Sequence, residues 1–286
     1  FVFVIMGIIN FKNLAKTSLR KKALLIAEAG LEAIEIPKVI SGRIKIDGEI
    51  LRIFPSNGSG LIYKTKPQLK LNLNNFKRVF IVGIGKGSAL ASATLTRILG
   101  KRLTGGIVLD VQYGEVRPPK IDGDNIRRSN LQKLKFLVGT HPLPSKQNVV
   151  ATQKIIKLVK NLKKDDLLIT FICGGGSALA CANQEELKGE ILAIKELTKA
   201  GANIIELNTI RKHLPGIKGG DLAKLAYPAT VISLIISDVL GNDLSMVASG
   251  PTVYDKTTKK DAIRILKKYL PRRSAYNSAL IRVLAE

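Results

Sequence analysis

Tryptophan is absent from the 286 residues, and Phe and Tyr number only 8 and 6. A protein that grips single-stranded nucleic acid needs aromatic faces along a basic groove, and this chain is poorly supplied with them. Cysteine occurs twice, at Cys173 and Cys181, and histidine twice, at His141 and His213. That is too few for a disulfide framework, and the positions give no zinc-ligand spacing; a cytoplasmic location fits this usage. Acidic residues are also scarce, 22 against 46 Lys and Arg, for a formal net charge of +24. The basic residues are scattered in ones and twos, as at Lys21-Lys22, Lys163-Lys164 and Lys259-Lys260. Without a basic tail, the excess suits anionic small molecules better than a specific nucleic acid. No long apolar run occurs. The opening FVFVIMGII has nine residues and no basic lead, too short for a membrane span or a secretion signal, so no membrane partner is expected.

What is present is ordinary globular material, 45% hydrophobic and 24% charged, enough for a sizeable core. Met6 is a candidate start, which would leave residues 1–5 upstream of it, and the chain stops at Glu286 inside an uncapped helical pattern, SALIRVLAE. The expectation is a fragment at both ends. Residues 12–34 read as one long amphipathic helix with Leu14, Leu24, Leu25, Ala29 and Leu31 on a buried stripe, ended by Pro37. Asp47-Gly48 between two alternating runs predicts a hairpin. Residues 55–75 read as a loose polar stretch, and 114–134 as a polar surface insertion.

Five short, β-branched, nearly continuous apolar runs follow at 79–85, 106–111, 135–140, 166–172 and 230–237, with helical segments such as 87–99, 145–161 and 186–200 between them. Continuous apolar strands are those covered on both faces. The alternation predicts an α/β fold, a doubly wound, mostly parallel sheet with helices on both faces, preceded by a small helix and hairpin region. Ligands of such sheets bind beyond the C-terminal ends of the strands, where the Gly-rich motifs lie.

Gly83-Ile84-Gly85-Lys86-Gly87-Ser88 leaves a strand and opens a helix. Helix-start N–H groups and a lysine favour an anion. The motif is not a P-loop, since Gly87 follows Lys86 and Phe80 stands where the first Gly is required. It is one Gly short of a dinucleotide fingerprint, although Asp110, at the end of the next strand, could serve as a ribose-binding acid. The run Cys173-Gly174-Gly175-Gly176-Ser177 gives a concave row of donors able to hold a phosphate or carboxylate. Asn208, Arg211, Lys212 and His213, followed by Lys218, Gly219 and Gly220, form a cationic, hydrogen-bonding segment suited to a doubly anionic substrate. Asp238 leaves an apolar strand, where a carboxylate can hold Mg2+ or accept a hydroxyl proton; Asp243 is a second candidate metal ligand. Two prolines after Thr140 make a rigid turn that could present His141.

In order and spacing, GIGKGSALA, GTHPLPS, ICGGGSALA, LNTIRKHLPGIKGG and LIISDVLGNDLSMVASGPTVYDKTT resemble the MOFRL-type glycerate kinases, the glycerate 2-kinase group of bacteria and archaea. The resemblance runs from about residue 12 to the end. It implies that residues 1–286 are a Rossmann-like N-terminal domain, that a smaller C-terminal domain is missing, and that the active site lies between the two. It also implies transfer of a phosphoryl group from ATP, with a divalent metal, to D-glycerate. The matched residues are Lys86, Gly174 to Ser177, Asn208, Arg211, Lys212, His213, Lys218 to Gly220 and Asp238. Ser145, Cys173, Pro215 and Asn242 depart from the family's pattern. On this reading Lys86, Arg211, Lys212 and Asp238 are catalytic. Gly85, Gly87, Ser88, His141, Gly174, Gly175, Gly176, Ser177, Asn208, His213, Lys218, Gly219 and Gly220 bind substrate or nucleotide, and a homodimer is admitted. The alternatives are a nicotinamide-dependent hydroxypyruvate or glycerate oxidoreductase, drawing on Gly83, Gly85 and Asp110, and a non-enzymatic basic binding protein.

Overall fold

The computed structural model describes residues 8, 10–55, 66–111 and 130–270. The apolar opening (all but Ile8), most of the segment read as an insertion and the SALIRVLAE pattern lie outside the described residues.

The N-terminal region corrects the sequence reading in three places. The single helix is two, α1 (Phe11–Leu14) and α2 (Ser18–Ala33). They part at Thr17, whose extended backbone and hydroxyl, accepting the Arg20 N–H, begin a new helix. The expected buried stripe does not form; no residue of α2 is buried, and Leu25 is about half exposed. Pro37 does not end a helix but sits in the first turn of α3 (Ile36–Arg43), where its missing N–H costs nothing. The hairpin is present as β1 (Ile44–Asp47) and β2 (Ile50–Ile53), paired antiparallel. A third strand, β3 (Leu69–Asn72), pairs with β2 inside the stretch read as loose.

The five apolar runs form one parallel sheet: β4 (Arg78–Ile84), β5 (Leu103–Val111), β6 (Leu134–Gly139), β7 (Asp166–Ile172) and β8 (Thr230–Ile235), in the order β6-β5-β4-β7-β8. Side chains alternate between two dry layers. Val82, Ile84, Ile107, Leu109, Leu168 and Ile172 face α5 (Lys146–Lys160) and α9 (Asp221–Ala226); Val79, Ile81, Val108, Leu167, Ile169 and Phe171 face α4 (Ser88–Leu99) and the small sheet. Two apolar layers explain why these strands read as unbroken hydrophobic runs. The expected doubly wound fold is therefore observed. A satellite core joins α7 (Gln184–Lys199), α8 (Ile204–His213) and α10 (Lys259–Tyr269) through Leu197, Ile210 and Leu266. No helix among the described residues is long and apolar enough to cross a membrane.

The order of strands places a topological switch between β4 and β7: the chain winds from β4 to one edge, then crosses to β7 and the other. Their register is pinned at its start by Arg78 and Asp166, which are paired Cα neighbours. Arg78 Nε and NH2 donate to the buried Asp166 carboxylate at 2.8 and 2.6 Å. At the other end Ile84 pairs with Ile172, so the two Gly-rich loops emerge side by side.

Glu206 ties α8 to α10. It accepts from Lys268 Nζ and Tyr269 OH, both at 2.7 Å, and from the N-cap Asn203 N–H. Those donors, Lys268 first, hold its pKa down at about 2 against an ordinary 4.5. A depressed carboxylate contributes stability above its unfolded pKa and loses it as pH falls towards the folded one. Urea unfolding of the wild type should therefore weaken more between about pH 6 and about pH 3 than that of Glu206→Gln. Equal losses would contradict this.

Candidate functional site

Two loops meet at the C-terminal edge of the sheet. Cys173 N–H donates to the Ile84 carbonyl at 3.1 Å, and Lys86 N–H to the Gly174 carbonyl at 2.9 Å. Gly85, at φ +118°, lies so close to the Cys173 carbonyl that a Cβ there would approach its oxygen to 2.4 Å, so only glycine fits. The first loop spends its backbone donors internally. Gly85 N–H goes to Leu109 and Ser88 N–H to Gly85; Gly87 and Ala89 N–H go to the Asp110 carboxylate at 3.3 and 2.9 Å. Its offering to a ligand is the exposed Lys86 side chain. The second loop, which opens the short α6 (Gly176–Leu179), differs. Among the described residues, neither Gly174 N–H nor Gly175 N–H has an acceptor in the protein, and both residues are partly open to solvent.

Three side chains converge on these two glycines. A Cβ on Gly174 would lie 2.1 Å from Asp238 Oδ2, so that carboxylate rests on the bare backbone. A Cβ on Gly175 would lie 3.1 Å from the Lys86 chain and 3.2 Å from His141 Cδ2. His141 is placed by Asn148, whose side-chain amide accepts from Thr140 N–H (2.9 Å) and donates to the Thr140 and Ala178 carbonyls (3.0 and 2.9 Å). Burial, and then the charges of Lys86 and Arg211, push the His141 pKa down. The ring is therefore neutral at pH 7, a hydrogen-bonding partner and not a counter-charge.

A polar chain forms the floor. Ser177 Oγ meets Ser249 Oγ at 2.8 Å; Ser249 reaches Asn208 Oδ1 at 3.4 Å, and Arg211 NH1 donates to the same oxygen at 3.2 Å. Ser249 stands in a backbone run of three left-handed residues, Ala248 (φ 52°), Ser249 (φ 58°) and Gly250 (φ 59°). For the two non-glycines this conformation costs about 1–2 kcal/mol each. Gly219 and Gly220 N–H groups hold the run by donating to the Ser249 and Gly250 carbonyls at 2.9 and 2.7 Å.

Several expected ligand contacts are not brought together here. Ser88 is fully buried and donates to the Leu109 carbonyl. Gly219 and Gly220 shape the 248–250 turn. Lys218 is buried at 1% exposure, its ammonium between Glu186 Oε1 (2.7 Å) and Glu190 Oε2; against burial, those carboxylates push its pKa up. Lys212 does not join Asn208 and Arg211. Its Nζ donates to Asp255 Oδ1 at 2.8 Å, and His213 contacts Thr257 Oγ1 at 3.1 Å. Both line a neighbouring pocket with Asp221, Tyr254, Asp255 and Thr257. Asp243 is exposed and accepts its own turn's Ser245 N–H at 2.9 Å. Among the described residues, no three His, Cys, Asp or Glu side chains form a metal-holding group.

Residues 22–284 match the family described as Domain of unknown function (DUF4147). The chain belongs to this family. The domain is the N-terminal one of glycerate 2-kinase family proteins. The chain is 34% identical, over 76% of its length and 48% of the relative's, to a protein of Thermotoga maritima named D-glycerate 2-kinase. It is 39% identical, over 67% of its length and 47% of the relative's, to a protein of Agrobacterium vitis that carries the name hydroxypyruvate reductase. A crystal structure of glycerate kinase from Thermotoga maritima superposes with a TM-score of 0.69 at 28% identity, covering 93% of this chain and 55% of that one. The chain thus spans about half the length of the curated relatives it matches.

Within this DUF4147 domain, sequence reasoning gave no site role to Ser249, Asp255, Glu186 or Glu190. The two glutamates carried a signal, being one helical turn apart on α7. Asp110, weighed as a ribose-binding acid, is 5% exposed and accepts from three backbone N–H groups, those of Gly87, Ala89 and Val111. Burial pushes its pKa up against those donors. It caps α4, and with its carboxylate buried on three backbone donors it is poorly placed to meet a ribose. Asp110→Ala should lower the unfolding free energy by about 1–3 kcal/mol, the cost of orphaned buried donors, as read by urea denaturation; wild-type stability in that variant would contradict the capping role.

Proposed function

We propose that this chain is the N-terminal α/β part, residues 1–286, of a cytoplasmic kinase that transfers a phosphoryl group from ATP to the 2-hydroxyl of D-glycerate with Mg2+ assistance. The observation that carries the reading is the convergence of Lys86, Asp238 and two unspent backbone N–H groups on Gly174–Gly175. Phosphoryl transfer asks a protein mainly for positioning and charge stabilisation, and these groups supply both. The Gly174–Ser177 loop holds an anionic group on its N–H donors. Lys86 neutralises charge on the same group, and Arg211, reaching the site from α8, holds a second anionic group. A carboxylate beside an anion cradle is electrostatically costly on its own. Asp238 is the residue that would hold a Mg2+ ion there. Bound there, Mg2+ would neutralise charge on the phosphates. Asp238 is alternatively the base that accepts the glycerate hydroxyl proton.

The oxidoreductase reading loses its ribose acid, because Asp110 is spent as a helix cap. The name of the Agrobacterium vitis relative keeps NADH oxidation with hydroxypyruvate as the control assay.

D-glycerate-dependent release of ADP from ATP and Mg2+ is the expected activity. Lys86→Ala and Asp238→Ala should each lower kcat by roughly two to four decades. A loss below about threefold in both, or hydroxypyruvate-dependent NADH oxidation with no effect of ATP, would overturn the assignment.

A further inference from the structure

Arg211 is a buried guanidinium whose placement depends on groups outside the site. Its side chain is 10% exposed, and its charge is felt at His141. Asn208 holds one edge through NH1. Behind the other edge stands Glu190 of α7, wholly buried, with Oε1 at 3.3 Å from Arg211 Nε. Neither atom has a hydrogen-bond partner among the described residues, so the contact is one of charge. The second oxygen of Glu190 takes the Lys218 ammonium, which also donates to Glu186 Oε1 at 2.7 Å. Glu186 in turn accepts the Ala182 N–H and lies against Gly216, where a Cβ would come to 2.6 Å from its carboxylate. Two acids and two bases therefore share one dry space. Only one of the acids touches the arginine.

That asymmetry separates two roles. If the acids served only to neutralise Lys218, Glu186 and Glu190 would be equivalent. We propose that Glu190 is a positioning residue, which fixes the Arg211 guanidinium against Asn208 on the polar floor under the Gly174–Ser177 loop, while Lys218 holds the second oxygen of Glu190. The proposal rests on the assignment of Arg211 to anion binding made above. Removing the charge of Glu190 leaves a buried guanidinium without its carboxylate, an unfavourable state that drives it to reorient. Removing the charge of Glu186 leaves the Glu190–Arg211 contact intact.

The test compares Glu190→Gln with Glu186→Gln in the full chain, with melting temperatures as the check of folding. In nitrogen–proton correlation spectra, the Arg211 Nε–H signal, assigned by its loss in Arg211→Lys, should be resolved in the wild type and Glu186→Gln, kept from solvent exchange by the burial of the side chain. In Glu190→Gln it should move into the fast-exchanging envelope. Glu190→Asp keeps the charge but withdraws it by one methylene, and should give an intermediate signal; this variant decides the matter if Glu190→Gln does not fold. Calorimetric titrations with ATP and with D-glycerate give the consequence. Whichever ligand Arg211→Lys weakens should also be weakened on the order of tenfold by Glu190→Gln and within about threefold of wild type in Glu186→Gln. An Arg211 signal unchanged in Glu190→Gln and Glu190→Asp, or lost equally in Glu186→Gln, overturns the proposal. A wild type that binds neither ligand overturns the kinase reading instead, while the spectra still decide the role of Glu190.

Discussion

The parallel pairing of β4 with β7 is the constraint on which the site depends. Its start is pinned by the bidentate Arg78–Asp166 pair, and its length is filled by side chains buried in two layers. A slip of one residue would exchange the two layers of each strand and would move the Gly85 and Cys173 loops out of contact. With the register held, a carbonyl of one loop lies where a Cβ of the other would be. The glycine at position 85 is thus a consequence of the pairing, and so is the juxtaposition of Lys86 with Gly175.

The two loops then divide the work. They look alike as sequences, each a strand followed by glycines and a helix start. The first is closed on itself by Asp110, Leu109 and Gly174, and lends the site a lysine. The second keeps its N–H groups unspent and meets Asp238 across a bare Cα. Beneath it the strained Ala248–Gly250 turn, held by Gly219 and Gly220, carries Ser249 to Ser177 and Asn208. Buried left-handed alanine and serine persist only where surroundings over-determine them. Here the surroundings are the backbone of one element and the polar floor of the site.

Much of this was legible in the sequence, for physical reasons. A strand covered on both faces is apolar at nearly every position, so β4, β5 and β7 declared themselves. Backbone that another carbonyl or packed side chains approach closely favours glycine, so Gly83, Gly85, Gly87 and 174–176 did as well. Short exposed strands carry no such demand, and β3 passed as polar loop. Pro37 was read as a stop because proline is excluded from helix interiors, whereas the first turn accepts it. Side-chain direction was the larger loss. Spacing on α8 placed Lys212 beside Arg211, but a flexible lysine goes to the nearest carboxylate, and Asp255 lies 43 residues away in sequence. Lys218 likewise reads as a substrate contact until Glu186 and Glu190 are seen to enclose it. Charge partners distant in sequence decide whether a cation serves a ligand or the fold.

The most direct test of the division between the loops is to follow backbone amide signals of the chain during titration with ATP and Mg2+, and separately with D-glycerate. The account predicts that, in at least one titration, Gly174, Gly175 and Ser177 show the largest saturable shifts, while the internally bonded amides of Gly85 and Ser88 move little. Large shifts at Gly85 to Ser88, with Gly174 to Ser177 silent in both titrations, would contradict it.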